Sequence, residues 1–349
     1  MHSYRNLVVS ILGWMLLIIP PALWGQLDLA LTFTDASGNT MPYRLFIPVD
    51  NMTPGEEIPI VLFLHGAGEK GSDNTQQVAS HVGGLITATQ GSPFTAVLVA
   101  PQLPDQGSNR WFNTIINNGN GTATTAFAMV LGMLEKAMAD YSVDRNRQYL
   151  TGLSLGGEGT WVLAQDNPGR FAAIAPMSGR TSLFTWKLDV LKEIPTWVYH
   201  GVDDTVVPFI DSVNLVTAIR NAGGHPLFSR VDGNHTIWAP IYNGGIYSDD
   251  ATGYSSDLYT WMFSHTLTSP PAPVLTIQTD GTDWLIEMPS QEGVLYQLKS
   301  SQSLDDPVAS WVSAALPQAG TGAVISFLLP VADWPAAPTR FFIVQADWE

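Results

Sequence analysis

Ile58 to Leu64 reads IPIVLFL, an unbroken apolar run of strand length. A strand with one wet face alternates apolar and polar residues, so a run of this kind must be covered on both faces. That requirement argues against an open antiparallel sheet and calls for helices on either side. The chain to about residue 265 has patterns that meet it. Helical periodicity is expected over 75–89, 124–141, 209–222 and 255–265, and strand patterns over 94–100, 147–153, 171–177, 195–200 and 226–231. Strand and helix taking turns imply a mainly parallel sheet with helices on both faces, an α/β architecture. Ahead of it, 27–34 and 41–49 alternate across Asp35-Ala36-Ser37-Gly38-Asn39, which reads as an antiparallel hairpin at the sheet edge.

One strand-to-helix junction in this alternation carries chemistry. Gly152-Leu153-Ser154-Leu155-Gly156 fits G-x-S-x-G, with a β-type run before it and the helix-competent Trp161, Val162, Leu163 and Ala164 after it. A serine on so sharp a turn is held in a strained conformation that lifts its hydroxyl above the sheet, and Gly152, Gly156 and Gly157 remove the side chains that would collide. Ser154 is the candidate nucleophile. Its neighbour Leu155, at the helix N-terminus, offers an amide where an oxyanion would form. The second amide is expected from the loop after the third strand, His65-Gly66-Ala67-Gly68, with Ala67 as the donor.

A serine hydroxyl needs a base, and the base needs a carboxylate to orient it. On such a sheet the order along the chain is serine, acid, histidine. That order excludes His2, His65, His81 and His200 as the base and leaves His225, His235 and His265. His235 follows strand 226–231 on a loop at the correct end. His225 precedes that strand and so lies at the opposite end, and His265 closes the last helix, where histidine commonly caps carbonyls. The acid is expected after strand 195–200, where Asp203 and Asp204 are adjacent. Only one can face the imidazole, and Asp204 is preferred. His65 reads as a hydrogen-bonding residue beneath its loop.

Charge narrows the partners. Of 349 residues 45 % are hydrophobic and 13 % charged, with a formal charge of -16. This describes a chain with a large core and argues against a nucleic-acid partner, which needs a basic face. Uncharged substrates fit better. With no cysteine there is neither a disulfide nor a thiolate site, and the proposed chemistry requires no metal or cofactor. The start, MHSYRNLVVSILGWMLLIIPPALWGQ, has Arg5 in a short polar head, an apolar run and Gly25 at a cleavage point, the layout of a signal peptide over 1–25 for a secreted or periplasmic protein. No later segment is long and apolar enough to span a bilayer.

The motifs PIVLFLHGAGEKGSDN, DRNRQYLTGLSLGGEGTW, HGVDDTVVP and GNHTIW, in this order, resemble those of secreted α/β-hydrolase esterases. The likeness is to the group related to polyhydroxybutyrate depolymerases, feruloyl and acetylxylan esterases, and the "predicted peptidase" branch of the dienelactone hydrolases. It extends from Leu27 to about His265. It implies an α/β-hydrolase fold, a Ser154, Asp204, His235 triad and hydrolysis of carboxylic esters through an acyl-enzyme. Feruloyl or acetyl groups on polysaccharide come first, polyesters second, with a serine peptidase and a non-catalytic carbohydrate binder as rivals. The group's two aromatic positions fall on Trp111 and Trp238, expected to flank a substrate group. Two stretches depart from the resemblance: the long Asn- and Gly-rich loop 104–122 and the insertion 239–254, whose action as a lid is left open.

Thr268-Ser269-Pro270-Pro271-Ala272-Pro273 breaks the alternation with a stiff linker after a catalytic unit over 26–267. Beyond it, short β runs separated by turn residues predict an all-β sandwich over 274–349. Trp284, Trp311, Trp334 and Trp348 are the aromatics available there for polysaccharide binding, or for a sandwich core.

Overall fold

The computed structural model describes residues 27–53, 55–117, 122–267, 276–279, 283–289, 294–301, 312–319, 324–330 and 341–348. The expected signal sequence over 1–25, the expected linker over 268–273, Trp311, Trp334 and the side chain of Trp348 lie outside the described residues.

Eight strands form the central sheet: β1 (Leu27–Thr34), β2 (Thr40–Ile47), β3 (Ile58–Leu64), β4 (Val97–Pro101), β5 (Val143–Leu153), β6 (Ala173–Met177), β7 (Trp197–Gly201) and β8 (Leu227–Val231). Their order is β1-β2-β4-β3-β5-β6-β7-β8. The β1–β2 hairpin is antiparallel and β2 pairs antiparallel with β4, whereas every pairing from β4 through β8 is parallel. This is the α/β-hydrolase topology, with all the parallel strands ending at one edge.

The apolar run of β3 behaves as its composition requires, and all of its residues are buried. Ile60, Leu62 and Leu64 enter one hydrophobic cluster with Met129, Met133 and Trp161; Val61 and Phe63, pointing the other way, enter a second with Leu85, Tyr242 and Trp261. Period-two alternation thus sends neighbours into separate cores on opposite faces. Each large side chain removed from water contributes about 1.5–3 kcal/mol.

Helices α1 (Gln76–Ala79), α2 (Gly83–Thr89), α3 (Ala126–Asp140), α4 (Leu155–Gln165), α5 (Leu188–Leu191), α6 (Phe209–Asn221), α7 (Trp238–Tyr242) and α8 (Leu258–Phe263) fill the connections. The single helix expected over 75–89 is two, because Ser80 is extended and His81 takes a left-handed φ of 70°. The insertion 239–254 is also ordered: α7, then a hairpin pairing Tyr247–Ser248 with Ser255–Ser256. Asp249, buried at its tip, accepts from the Phe228 amide of β8 at 2.7 Å, from Arg220 at 2.9 Å and from Thr252, so the hairpin is tied to the edge strand and to α6.

The C-terminal strands β9 (Thr276–Thr279), β10 (Asp283–Pro289), β11 (Val294–Ser301), β12 (Val312–Ser313), β13 (Gln318–Ala319), β14 (Val324–Pro330) and β15 (Phe341–Trp348) form two antiparallel sheets, β9-β10-β14 and one built on β11. Ile286, Met288, Ile325, Phe327 and Leu329 from the first meet Tyr296 and Leu298 from the second in one core. Trp284 packs against that core.

Candidate active site

The elbow follows from where β5 ends. Leu64 of β3 is in register with Gly152 of β5, and the chain then reverses into α4 within one residue. Ser154 is that residue, at φ 53° and ψ -115°. For a side-chain-bearing residue this backbone is strained. The strain persists because the surroundings hold it: the Ser154 amide donates to Met177 O at 2.8 Å and the Glu158 amide to Ser154 O at 3.0 Å. Glycine is obligatory at 156, where a Cβ would stand 1.8 Å from Leu64 O.

On the far side of the elbow, β7 and β8 deliver the other groups. His235 Nε2 lies 2.8 Å from Ser154 Oγ, and His235 Nδ1 lies 2.7 Å from Asp204 Oδ2. With Nδ1–H donating to the carboxylate, Nε2 is the acceptor for the serine hydroxyl; the tautomer is assigned from this network. Of the two adjacent aspartates, Asp203 is exposed, whereas the Asp204 side chain has no exposed surface. The turn selects between them: Asp204 Oδ1 accepts from the Val206 and Val207 amides, both at 2.8 Å, which aims Oδ2 at His235. Burial works to raise the Asp204 pKa, but the His235 bond and the two amides outweigh it and hold the carboxyl below its ordinary value.

A second imidazole backs this acid. His200, at the end of β7, has Nε2 3.2 Å from Asp204 Oδ2 and 3.1 Å from Val207 O, while Nδ1 lies 2.7 Å from Ser212 Oγ. Burial lowers its pKa, so it stands neutral and donates from Nε2. Chain order excludes His200 as the base, and nothing in the sequence pattern points to this supporting contact. The other histidines weighed as bases do not converge here. His225 and His265 lie together with Trp261 at the amino ends of β7 and β8.

The loop expected to supply the second oxyanion amide is built on His65. Its buried ring donates from Nδ1 to Gly66 O at 2.6 Å and accepts at Nε2 from the Leu103 amide at 2.9 Å. Burial drives its pKa down to about 4, which keeps the ring neutral and the clamp intact. Ala67 opens the short turn Ala67–Glu69, and Leu155 is the first residue of α4. Neither amide donates to an acceptor among the described residues.

Trp111 is 1 % exposed; its Nε1 donates to His65 O at 3.1 Å and its ring meets the His65 ring edge-on at 5.0 Å. Its surface is therefore taken up beneath the loop rather than turned toward a ligand. Trp238, 4 % exposed, sets its ring edge-on to His235 at 5.1 Å and to His81 at 5.6 Å. The loop that carries Trp111 is anchored by Arg110, paired with the buried Glu158 of α4, and by Lys70, paired with Asp105 at 3.3 Å. Residues 118–121 of it lie outside the described residues.

The family described as "Putative esterase" matches residues 34–225, more than half of the chain. The chain belongs to this esterase family. The match takes in Ser154 and Asp204 and stops short of His235, whose position rests on the geometry above. Among solved structures, this member of the family is similar to one titled "Crystal Structure of a Thermostable Esterase", at 31 % identity and a TM-score of 0.55, over 68 % of this chain and 63 % of that one. Among curated proteins it is similar to Poly(3-hydroxyalkanoate) depolymerase C of Paucimonas lemoignei, 31 % identical over 35 % of this chain and 28 % of the depolymerase. It is also similar to Feruloyl esterase C of Emericella nidulans, 29 % identical over 54 % of this chain and 64 % of that esterase. The chain thus spans less than two thirds of the length of each of these relatives.

Proposed function

We propose that this chain is a secreted serine carboxylesterase that cleaves neutral esters through an acyl-enzyme, with feruloyl or acetyl esters of polysaccharide as the first substrate class. The observation that carries the reading is the continuous hydrogen-bonded line from Ser154 Oγ through His235 to Asp204. In the first half-reaction Ser154 Oγ bonds to the ester carbonyl carbon while its proton passes to His235 Nε2. The carbonyl oxygen, now negative, accepts from the Leu155 and Ala67 amides, each such donor being worth about 3 kcal/mol of transition-state stabilisation. Collapse expels the alkoxide, which takes the proton back from the imidazolium. Water then repeats the sequence on the acyl-serine, with His235 again as base.

The formal charge of -16 favours neutral substrates over anionic ones. A polyester substrate is the second reading, favoured by the likeness to a poly(3-hydroxyalkanoate) depolymerase and by Val206 and Ile210, more than half exposed beside the acid loop. The N-terminal sequence supports secretion. For the C-terminal strands, Trp284 packed against their core favours a structural role over polysaccharide binding for that residue.

The test is a fluorophosphonate probe together with a panel of methyl ferulate, acetylated xylan, p-nitrophenyl esters, a polyester film and peptide anilides. Labelling lost in Ser154→Ala, with ester turnover falling by about six orders of magnitude in kcat and the fold retained, is the expected result. Turnover near the parent level in Ser154→Ala would mean that another nucleophile acts. Cleavage of anilides but not esters favours a peptidase, and a folded protein that never labels is a binder.

A further inference from the structure

Glu69 closes the same short turn that presents Ala67, and no part of the chemistry above uses it. Its side chain is 16 % exposed, and Oε2 has no hydrogen-bond partner among the described residues. Oε2 is sealed from solvent, 4.0 Å from His65 Nδ1, but that nitrogen is already committed to Gly66 O. The adjacent cation, Lys70, is engaged by Asp105 and Asn109. Burial pushes the Glu69 carboxyl above its ordinary pKa; the nearby His81, and then the Glu69 and Gly66 amides, draw it part of the way back. A buried carboxyl oxygen without a hydrogen bond is costly, and a donor arriving on a ligand would relieve that cost.

Its position says where that ligand would lie. A Cβ at Gly66 would be 3.0 Å from Glu69 Oε2 and 3.5 Å from Ser154 Cβ, so the carboxyl and the nucleophile border the same small space. His81, the group that acts on Glu69 electrostatically, is exposed and packs against Trp238, which packs against His235. His81 and Trp238 thus lie on the imidazole side of the site, and Glu69 is within electrostatic reach of His81. Acyl transfer requires the leaving oxygen to take its proton from His235 Nε2, so the alcohol half of an ester must sit on that side.

Building on the esterase reading, we propose that Glu69 is a specificity residue that accepts a hydrogen bond from a free hydroxyl on the alcohol half of the substrate, selecting esters of polyols and sugars.

The experiment compares kcat/KM for 2-hydroxyethyl acetate against 2-methoxyethyl acetate, and for p-nitrophenyl 3-hydroxybutyrate against p-nitrophenyl butyrate. It uses the full chain, Glu69→Ala and Glu69→Gln, each checked by thermal unfolding. The parent should prefer the hydroxylated acetate by roughly tenfold or more, the size of one hydrogen bond to a charged group. Glu69→Ala should bring that ratio to within about twofold, mainly through KM, and Glu69→Gln should restore part of it. Equal falls for both acetates would reduce Glu69 to a support for its turn, and a changed ratio in the butyrate pair alone would put the hydroxyl on the acyl half; either overturns the proposal. Should the parent hydrolyse no ester at all, the esterase reading fails. The preference is then read as binding of the two acetates to Ser154→Ala with and without Glu69→Ala by NMR titration. A surviving difference supports the contact, and its absence ends it.

Discussion

Two strand ends in this molecule carry the same dipeptide, and they do opposite things with it. His65-Gly66 follows β3 and His200-Gly201 closes β7, both at the carboxyl edge of the sheet and both with the ring fully buried and its pKa lowered by burial. Around His65 both ring partners are backbone groups, so the ring can only fix a loop. Around His200 the Nε2–H donates to Val207 O and lies 3.2 Å from the Asp204 carboxylate, so the ring abuts the group that orients His235. The difference shows that a buried neutral histidine takes its role from what its free edge meets. In the proposed reaction one serves oxyanion geometry and the other serves the proton relay.

The comparison breaks most sharply at Asp204. Asp204→Asn preserves the shape of the turn but offers His235 Nδ1 an amide, which permits the wrong tautomer; kcat is expected to fall by about four orders of magnitude, the scale known for this exchange in a serine triad. Steady-state kinetics on a p-nitrophenyl ester, with the melting temperature as control, reads the outcome. A loss below tenfold would remove Asp204 from the relay.

His65 yields a pH test of folding rather than of rate. Its folded pKa is about 4 against an ordinary value of 6.5, so as pH falls below 6.5 the unfolded chain takes up a proton that the native one refuses. Stability contributed by the neutral ring is therefore full above pH 6.5, declines down to about 4 and is level below that, a change of about 3 kcal/mol. Urea unfolding of the parent and His65→Gln at pH 7 and pH 4 should show this increment in the parent only.

The smallest effect is expected at His200. His200→Gln removes the supporting donor while His235, Val206 and Val207 still hold Asp204, so kcat should drop by about tenfold, or 1.4 kcal/mol. A loss as large as that of Asp204→Asn would show that the two histidines do not differ as the geometry indicates.

The legible parts of this site were those set by local rules. A turn that needs Gly156 against Leu64 O advertises itself in the sequence, as does an apolar run that must be covered twice. The roles of His200 and Glu69 were not legible, because one depends on how the turn folds Asp204 back over the ring and the other on the lack of a partner. Trp111 illustrates the limit: its residue type suits a pocket wall and a core equally, and only the carbonyl of His65 within reach of Nε1 draws it into the core. Helix 75–89 failed for a related reason, since its apolar periodicity carries no sign that His81 leaves the helical region.

By itself, then, the sequence determined the alternation of strands and helices, the strained serine at residue 154 and the order in which acid and base must follow, because steric exclusion and burial period act between near neighbours. Tertiary structure alone decided which histidines become props and which carboxyl oxygen is left without a partner. Those outcomes depend on distances between segments that the chain's local preferences do not encode.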